Sequence, residues 1–258
     1  MHEKHPARLV VMTAGGANPQ AMINLLSQHF AHLHVIEEAY ETKGELLKRR
    51  AAKLGWPVAL GQLGTMIVSR LGKRAAAARA REILDEYDLS AMQDPTVALT
   101  SVASLNDAET LSALQRLKPD LVFTISCRLL TRATLTAIPC PIVNFHAGIN
   151  PIYRGQMGGY WARIEDDEQN FGATLHLVDA GTDTGATLAE VRVKPDRRDT
   201  ISTYPLLLTA AGAQMTARVL KDVADGKAIP YKQMGRSALR FPPTIWTYLY
   251  HGVRRGIW

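Results

Sequence analysis

The sequence predicts a doubly wound α/β fold on a mostly parallel sheet, with a helical insertion and a short C-terminal extension. Three observations carry that expectation. Strand-like β-branched runs alternate with stretches of helical spacing through most of the chain. Residues 120–126 (DLVFTIS) hold an apolar run with neighbouring positions apolar on both faces, as in a strand buried on both sides. The first strand-like run ends in Gly15-Gly16 and passes directly into a helical stretch, the strand–glycine–helix–strand order of a βαβ unit.

Taken in order, residues 8–14 (RLVVMTA) read as a strand, 20–30 as an amphipathic helix opened by Asn18, and 33–39 as a second strand. Residues 44–54 and 61–87 look helical, the second with an alanine- and arginine-rich face. A third strand is expected at 97–102, then a helix at 108–117 with Asn106 and Glu109 at capping-box spacing. Pro119 ends that helix before the buried strand at 120–126. A helix near 129–137 leads to a strand at 141–145, and strands at 174–178 and 187–193 flank a Gly-Thr-Asp-Thr-Gly turn. Residues 202–224 form a strong helix stopped by Asp225-Gly226. We expect one domain over 1–226 with a helical insertion at about 55–95, and an aromatic, basic extension over 227–258 packed on it.

Composition narrows the class. The 258 residues are 47% hydrophobic and 21% charged, the mix of a globular protein rather than a disordered or fibrous one. No apolar run is long enough to span a bilayer, and the polar start of the chain lacks a signal-peptide core. Two cysteines, Cys127 and Cys140, are too few for a disulfide scaffold or a structural zinc site, so no metal is expected and a reduced, cytoplasmic setting is the default. The net charge of +6 is concentrated in residues 48–53, 70–81 and 236–255. Such a surplus suits nucleic acid, anionic membrane or phosphorylated small molecules and selects none of them.

The chemistry points to residues 143–155 (VNFHAGINPIYRG). Asn144 and His146 alternate at the end of a buried strand and so share a face, at the end of the sheet where ligands of parallel α/β folds bind. An Asn amide can donate to a developing oxyanion, and an imidazole can move a proton near neutral pH. Asp179 and Asp183 lie on a glycine-rich loop after the next strand, able to bring a carboxylate up to the imidazole. Taken singly, a lone His after a strand is usually structural and an Asp in such a loop usually shapes the turn; the conjunction is what carries information. The paired His32 and His34 lack a nearby carboxylate or thiol at ligand spacing and read as a solvated loop, while His176 falls inside a strand and faces either the site or the core.

That conjunction resembles the 10-formyltetrahydrofolate-dependent formyltransferase superfamily, with its N-x-H motif, P-x-(Y/F)-(R/K)-G loop and downstream D-x-G. The matching residues are Asn144, His146, Gly148, Pro151, Tyr153, Arg154, Gly155, Asp183 and Gly185, with Thr182 where the family usually carries Leu or Ile. The resemblance spans roughly residues 8–195 and is specific over 119–190. It implies a Rossmann-like domain, 10-formyltetrahydrofolate as co-substrate, and Asn144, His146 and Asp183 as catalytic residues. It further implies folate contacts from Arg128, Leu129 and Leu130, with Asp179 on the same side. Cys127 reads as a small apolar wall residue. The loop at residues 14–18 resembles the phosphate loop of the purine-pathway members, with Gly16, Asn18 and Gln20 matching and Ala17 in place of a serine. Gly15, Gly16, Asn18, Tyr153, Arg154 and Gly155 are assigned to the acceptor.

Which amine is formylated is less determined. The stretch after Gly226 is too short for the C-terminal barrel of the tRNA branch, and no aromatic-interleaved RNA-binding pattern is present. The build most resembles nucleotide-sugar N-formyltransferases of surface-polysaccharide (lipopolysaccharide O-antigen) synthesis. The expected partners are therefore a small, phosphorylated amine and, as an oligomer, a homodimer, with no specific nucleic acid. Alternatives are a glycinamide ribonucleotide or hydroxyornithine acceptor, a formyltetrahydrofolate hydrolase using the same residues on water, and a folate-fold binding protein without catalysis.

Overall fold

The computed structural model describes residues 3–258. Strand β1 (His5–Thr13) leads through Gly15-Gly16 into α1 (Ala17–His29) and back to β2 (Phe30–Glu38). After an excursion, β3 (Ala98–Val102) is followed by α5 (Ala108–Leu117), β4 (Leu121–Ile125), α6 (Arg132–Ala137) and β5 (Ile142–His146). The excursion holds α2 (Lys43–Leu54), α3 (Trp56–Val68) and α4 (Lys73–Glu86). A two-residue strand β6 (Arg154–Gly155), α7 (Gly158–Ile164), β7 (Gly172–Leu177), β8 (Thr187–Arg192) and the long α8 (Tyr204–Ala224) come next. A short β9 (Leu239–Arg240) and α9 (Ile245–Arg255) close the chain.

The central sheet runs β3-β2-β1-β4-β5-β7-β8. Its first five strands are mutually parallel, and β7 and β8 join antiparallel. The chain winds outward in both directions from β1, so the switch lies between β1 and β4, where a crevice opens at the carboxyl ends. Side-chain alternation explains why the central strands are apolar throughout. Leu9, Val11, Phe123 and Phe145 enter the larger core with α1 and α8, while Val10, Met12, Val122 and Ile142 enter the smaller one with α5 and α6.

Several local expectations change. The helix expected over 61–87 is two helices, α3 and α4, separated by a 3₁₀ turn at Ser69–Gly72. Their faces answer to different neighbours: α3 packs on α9, whereas α4 sends Arg79 to a buried two-point pairing with Asp199 at 2.9 and 3.2 Å. That arginine is therefore not part of a solvated face. The cap of α5 is Asp107, which accepts from the Thr110 N–H at 3.0 Å; Asn106 instead accepts from Thr131 N–H at 2.7 Å and donates to the Leu129 carbonyl. His32 and His34 belong to β2 rather than to a loop, and His34 meets Thr100 on the neighbouring strand at 2.8 Å. Residues 129–131 stay outside α6, which starts only where the Thr131 hydroxyl accepts from Thr134 N–H.

The C-terminal segment is tied to the rest of the chain along its length. Strand β9 pairs in parallel with β6. Helix α9 crosses α3 where only glycines permit it: a methyl added at Gly61 or Gly64 would meet Thr244 or Ile245 at 2.9 or 3.1 Å. Tyr248 and Ile257 are buried, and the Trp258 carbonyl accepts from Ile201 N–H.

Candidate active site

Strand β5 carries Asn144 and His146, and its antiparallel partner β7 sets His176 directly opposite Asn144. Asn144 is held at both ends of its amide: its oxygen accepts from the Thr124 hydroxyl at 2.9 Å, and its nitrogen meets His176 Nε2 at 3.1 Å. His176 Nδ1–H donates to the Leu177 carbonyl at 2.8 Å, which leaves Nε2 as the working nitrogen. A neutral His176 accepts there from Asn144; a protonated one donates toward Asp183, whose Oδ1 lies 3.4 Å away.

Asp183 sits at φ 51° at the tip of the loop between β7 and β8. Asp179 shapes this loop by accepting from Gly181 N–H and the Thr184 hydroxyl. The second oxygen of Asp183 accepts from Gly155 N–H at 2.8 Å and lies 3.6 Å from His146 Nδ1. Burial would raise the Asp183 carboxyl, but the His146 charge, the His176 hydrogen bond and the Gly155 N–H outweigh it and hold it at about 2. His146 Nε2–H donates to the Tyr153 carbonyl at 2.7 Å. Gly148 is required here, since a methyl on it would stand 2.6 Å from both His146 Nε2 and the Tyr153 oxygen.

The structure thus brings Asn144, His146 and Asp183 together on a cavity of about 810 Å³ at the carboxyl ends of β4 and β5. Ile125, Cys127, Leu130 and Val178 give it an apolar wall. Burial pushes the Cys127 thiol up to about 12, which suits a wall residue. From the insertion, α2 adds Arg49, Arg50 and Lys53 to the rim, and the C-terminal segment adds Arg240, Phe241 and Pro242. A second, shallower hollow of about 740 Å³ lies between α6 and residues 226–230 and contains Asp179 but neither histidine.

The remaining residues singled out in the sequence fall in different places. Arg128 is not free to meet a ligand through its side chain: Nε donates to Glu38 at 2.7 Å, and Nη2 donates to the Ala39 and Ala103 carbonyls. Its own N–H also donates to Glu38, whose side chain is 0% exposed. Leu129, largely exposed, and Leu130 both line the cavity. Asp179 is a turn former outside the cavity. Asn18 lines the cavity, but Gly15 and Gly16 do not, and the Gly15 N–H is already used by the Thr13 hydroxyl. A carboxylate stands beside that turn, since a methyl at Gly15 would come within 2.8 Å of Glu37 Oε2. This opposes a phosphate there. The Tyr153 ring is in the core with its hydroxyl on Asp167 at 2.9 Å, so only its carbonyl reaches the site. Arg154 donates to the Thr182 carbonyl and pins the loop that carries Asp183. Sequence reasoning missed Glu38 and left His176 between core and site; the register of β7 against β5 decides the latter.

Fold and site together define a doubly wound α/β protein with an amide–imidazole–carboxylate cluster in a cavity at its strand ends. The chain belongs to the formyl transferase family, whose model matches residues 7–220. It is 30% identical over 153 residues to a methionyl-tRNA formyltransferase of Caldanaerobacter subterraneus, covering 59% of this chain and 49% of that protein. It therefore spans about half the length of the curated relatives it matches. Among solved structures, a sugar N-formyltransferase from a Shewanella species superposes with a TM-score of 0.57 at 15% identity, over 92% of this chain and 77% of that one. A phosphoribosylglycinamide formyltransferase from Anaplasma phagocytophilum gives 0.58 at 18% identity, over 93% and 100%. At these identities the superpositions speak to the fold.

Proposed function

We propose that this protein transfers a formyl group from 10-formyltetrahydrofolate to a primary amine, using Asn144, His146 and Asp183. The observation that carries the reading is the meeting of these three groups, each fixed by its own hydrogen bonds, on one cavity. The cavity volume lies in the range of small-molecule sites, roughly 300–1,000 Å³, and its apolar side is suited to a pterin ring. The co-substrate supplies an activated one-carbon unit. In the transfer, a bond forms from the acceptor nitrogen to the formyl carbon, that carbon's bond to the folate nitrogen breaks, and the amine's proton ends on the folate nitrogen. Asn144 Nδ2 and a protonated His146 steady the formyl oxygen as it gains charge. The 3.6 Å spacing from Asp183 leaves His146 Nδ1 able to turn toward that oxygen, while Nε2 stays on Tyr153. Asp183, ionised across the physiological range, holds the imidazolium and takes up the proton in transit.

The acceptor is an amine that carries phosphate, and among such amines an amino-deoxysugar nucleotide of surface-polysaccharide assembly. Supporting this, Arg50 and Lys53 follow one another on the same face of α2 at the cavity rim. No carboxylate among the described residues lies within ion-pair distance of either; Glu41 acts on Arg50 only from further off. The test supplies 10-formyltetrahydrofolate with several amino-deoxysugar nucleotides, with glycinamide ribonucleotide and with methionyl-tRNA. Formylation of a sugar nucleotide is the expected result. Formate released without an acceptor would instead mark a hydrolase, and efficient formylation of methionyl-tRNA or glycinamide ribonucleotide alone would reverse the acceptor assignment.

A further inference from the structure

Seven large, exposed apolar side chains lie outside the cavity on α3, on the turn that follows it and on α9. Helix α3 (WPVALGQLGTMIV) has no charged residue, and Trp56, Leu60 and Ile67 recur on its outer side at helical spacing, continued by Leu71, which is 84% exposed. On α9, Trp246 and Val253 are each 75% exposed and Tyr250 is 57% exposed, again at spacings of three and four. The two stripes are neighbours because α9 crosses α3 at Gly61 and Gly64. Midway along α3, Gln62 reaches the cavity wall and its Nε2 donates to the Pro242 carbonyl, just before α9, at 2.9 Å.

Charge frames this face with one sign. Arg70, Lys73 and Arg74 follow α3, and Arg254 lies within α9; among the described residues none of the four has a carboxylate within ion-pair distance. We propose that the α3–α9 face docks on the surface of an anionic lipid bilayer. Helices of 13 and 11 residues are too short to cross the hydrocarbon, and a helix lying in the interface is what this pattern suits. Trp and Tyr favour the headgroup level, where Trp56, Trp246 and Tyr250 would sit. Unpaired cations at the margin are attracted by anionic headgroups. A second copy of the chain is disfavoured as the occupant, because a two-fold contact would set the same unpaired cations against one another. The docking is independent of which amine is formylated.

The experiment is co-sedimentation of the full chain with vesicles of phosphatidylcholine containing roughly one-third phosphatidylglycerol, against vesicles of phosphatidylcholine alone. The protein pellets with the anionic vesicles, is released by raised salt, and remains largely free with the neutral ones. The double variants Trp246→Ser with Tyr250→Ser, and Lys73→Glu with Arg74→Glu, each weaken vesicle binding roughly tenfold. Both keep the wild-type melting temperature and the wild-type rate on a soluble acceptor. Absence of pelleting, or pelleting that both variants retain, overturns the proposal. So does a dimer in sedimentation equilibrium that the Trp246→Ser, Tyr250→Ser variant dissolves.

Discussion

Two of the arginines that line the cavity, Arg128 and Arg50, have surroundings that separate its closed end from its open one. Over β1, β2 and β4 the polar groups are spent on one another. Glu38 takes both the N–H and the guanidinium of Arg128, while Glu37 stands against the Gly15 turn. Over β5 and β7, and along α2, polar groups are fixed but not used up. Asp183 and His146 stop 3.6 Å apart, and Arg50 rests against the Met66 sulfur with no anion in reach. A glycine turn and an arginine at a strand end look alike in sequence whether they bind a ligand or hold a loop. The difference lies in what the adjacent strand brings, here two consecutive glutamates at the end of β2.

The largest effect belongs to the open end. Asp183→Asn keeps the Gly155 hydrogen bond but removes the charge that faces both histidines, so formyl transfer falls by roughly 10²–10⁴ while the protein still folds. Single-turnover rates on the purified variant decide this, and near-normal turnover would remove Asp183 from the proposed mechanism.

At the closed end the cost is structural. Glu38→Ala strands Arg128 beside two carbonyls and leaves the Leu105 and Arg128 N–H groups without their carboxylate. Breaking a buried ion pair costs about 3–5 kcal/mol, and since Arg128 is partly exposed, about 3 kcal/mol is expected. Urea unfolding measures it. Arg128→Met made together with Glu38→Leu, which removes both charges, should recover part of the loss. No recovery would mean that the N–H contacts, rather than the guanidinium, are what Glu38 serves.

The same division explains what could be read from sequence. The parallel core was legible because strands buried on both faces carry apolar residues at consecutive positions, as Leu121, Val122 and Phe123 do. Asn144 and His146 were legible as a pair because alternation along a strand is local, whereas Asp183, far along the chain, was legible only through the resemblance of its D-x-G motif. The role of Arg128 was not, because its partner is 90 residues away in the chain and meets it only through the β1–β4 and β1–β2 pairings. His176 needed the β5–β7 register, which no local pattern contains. The break between α3 and α4 was masked by the alanine-rich stretch that follows, although β-branched Ile67 and Val68 before it and Gly72 within the turn at Ser69–Gly72 are weak helix formers.

The pairing of Asp183 with the histidines also contributes to stability. The folded carboxyl is held at about 2 against an ordinary 3.8, a difference of roughly 2 kcal/mol. Because the folded value is the lower one, this contribution is whole above about pH 4 and fades as pH falls through about 2. The stability gap between wild type and Asp183→Asn should therefore narrow over that window in acid titrations of urea midpoints. A gap that stays constant would mean that His146 and His176 do not favour the ionised carboxyl.

The smallest effect sharpens the contrast between the two arginines themselves. Arg50 is half-buried, its charge is disfavoured by burial and by Arg49 beside it, and Glu41 is already engaged by Arg49 at 2.7 Å. A phosphate at the rim would relieve that cost, so a phosphorylated acceptor gains where an uncharged amine does not. Arg50→Ala should raise KM for the phosphorylated acceptor roughly tenfold with kcat nearly unchanged, the signature of binding felt equally in ground and transition states. KM for 10-formyltetrahydrofolate should not move. Removing an unpaired, partly desolvated cation should also leave stability unchanged or slightly higher, the reverse of what Glu38→Ala does at the closed end. If Arg50→Ala instead lowers the melting temperature and spares KM, then Arg50, like Arg128, is spent on the fold, and the anionic acceptor must be met elsewhere on the rim.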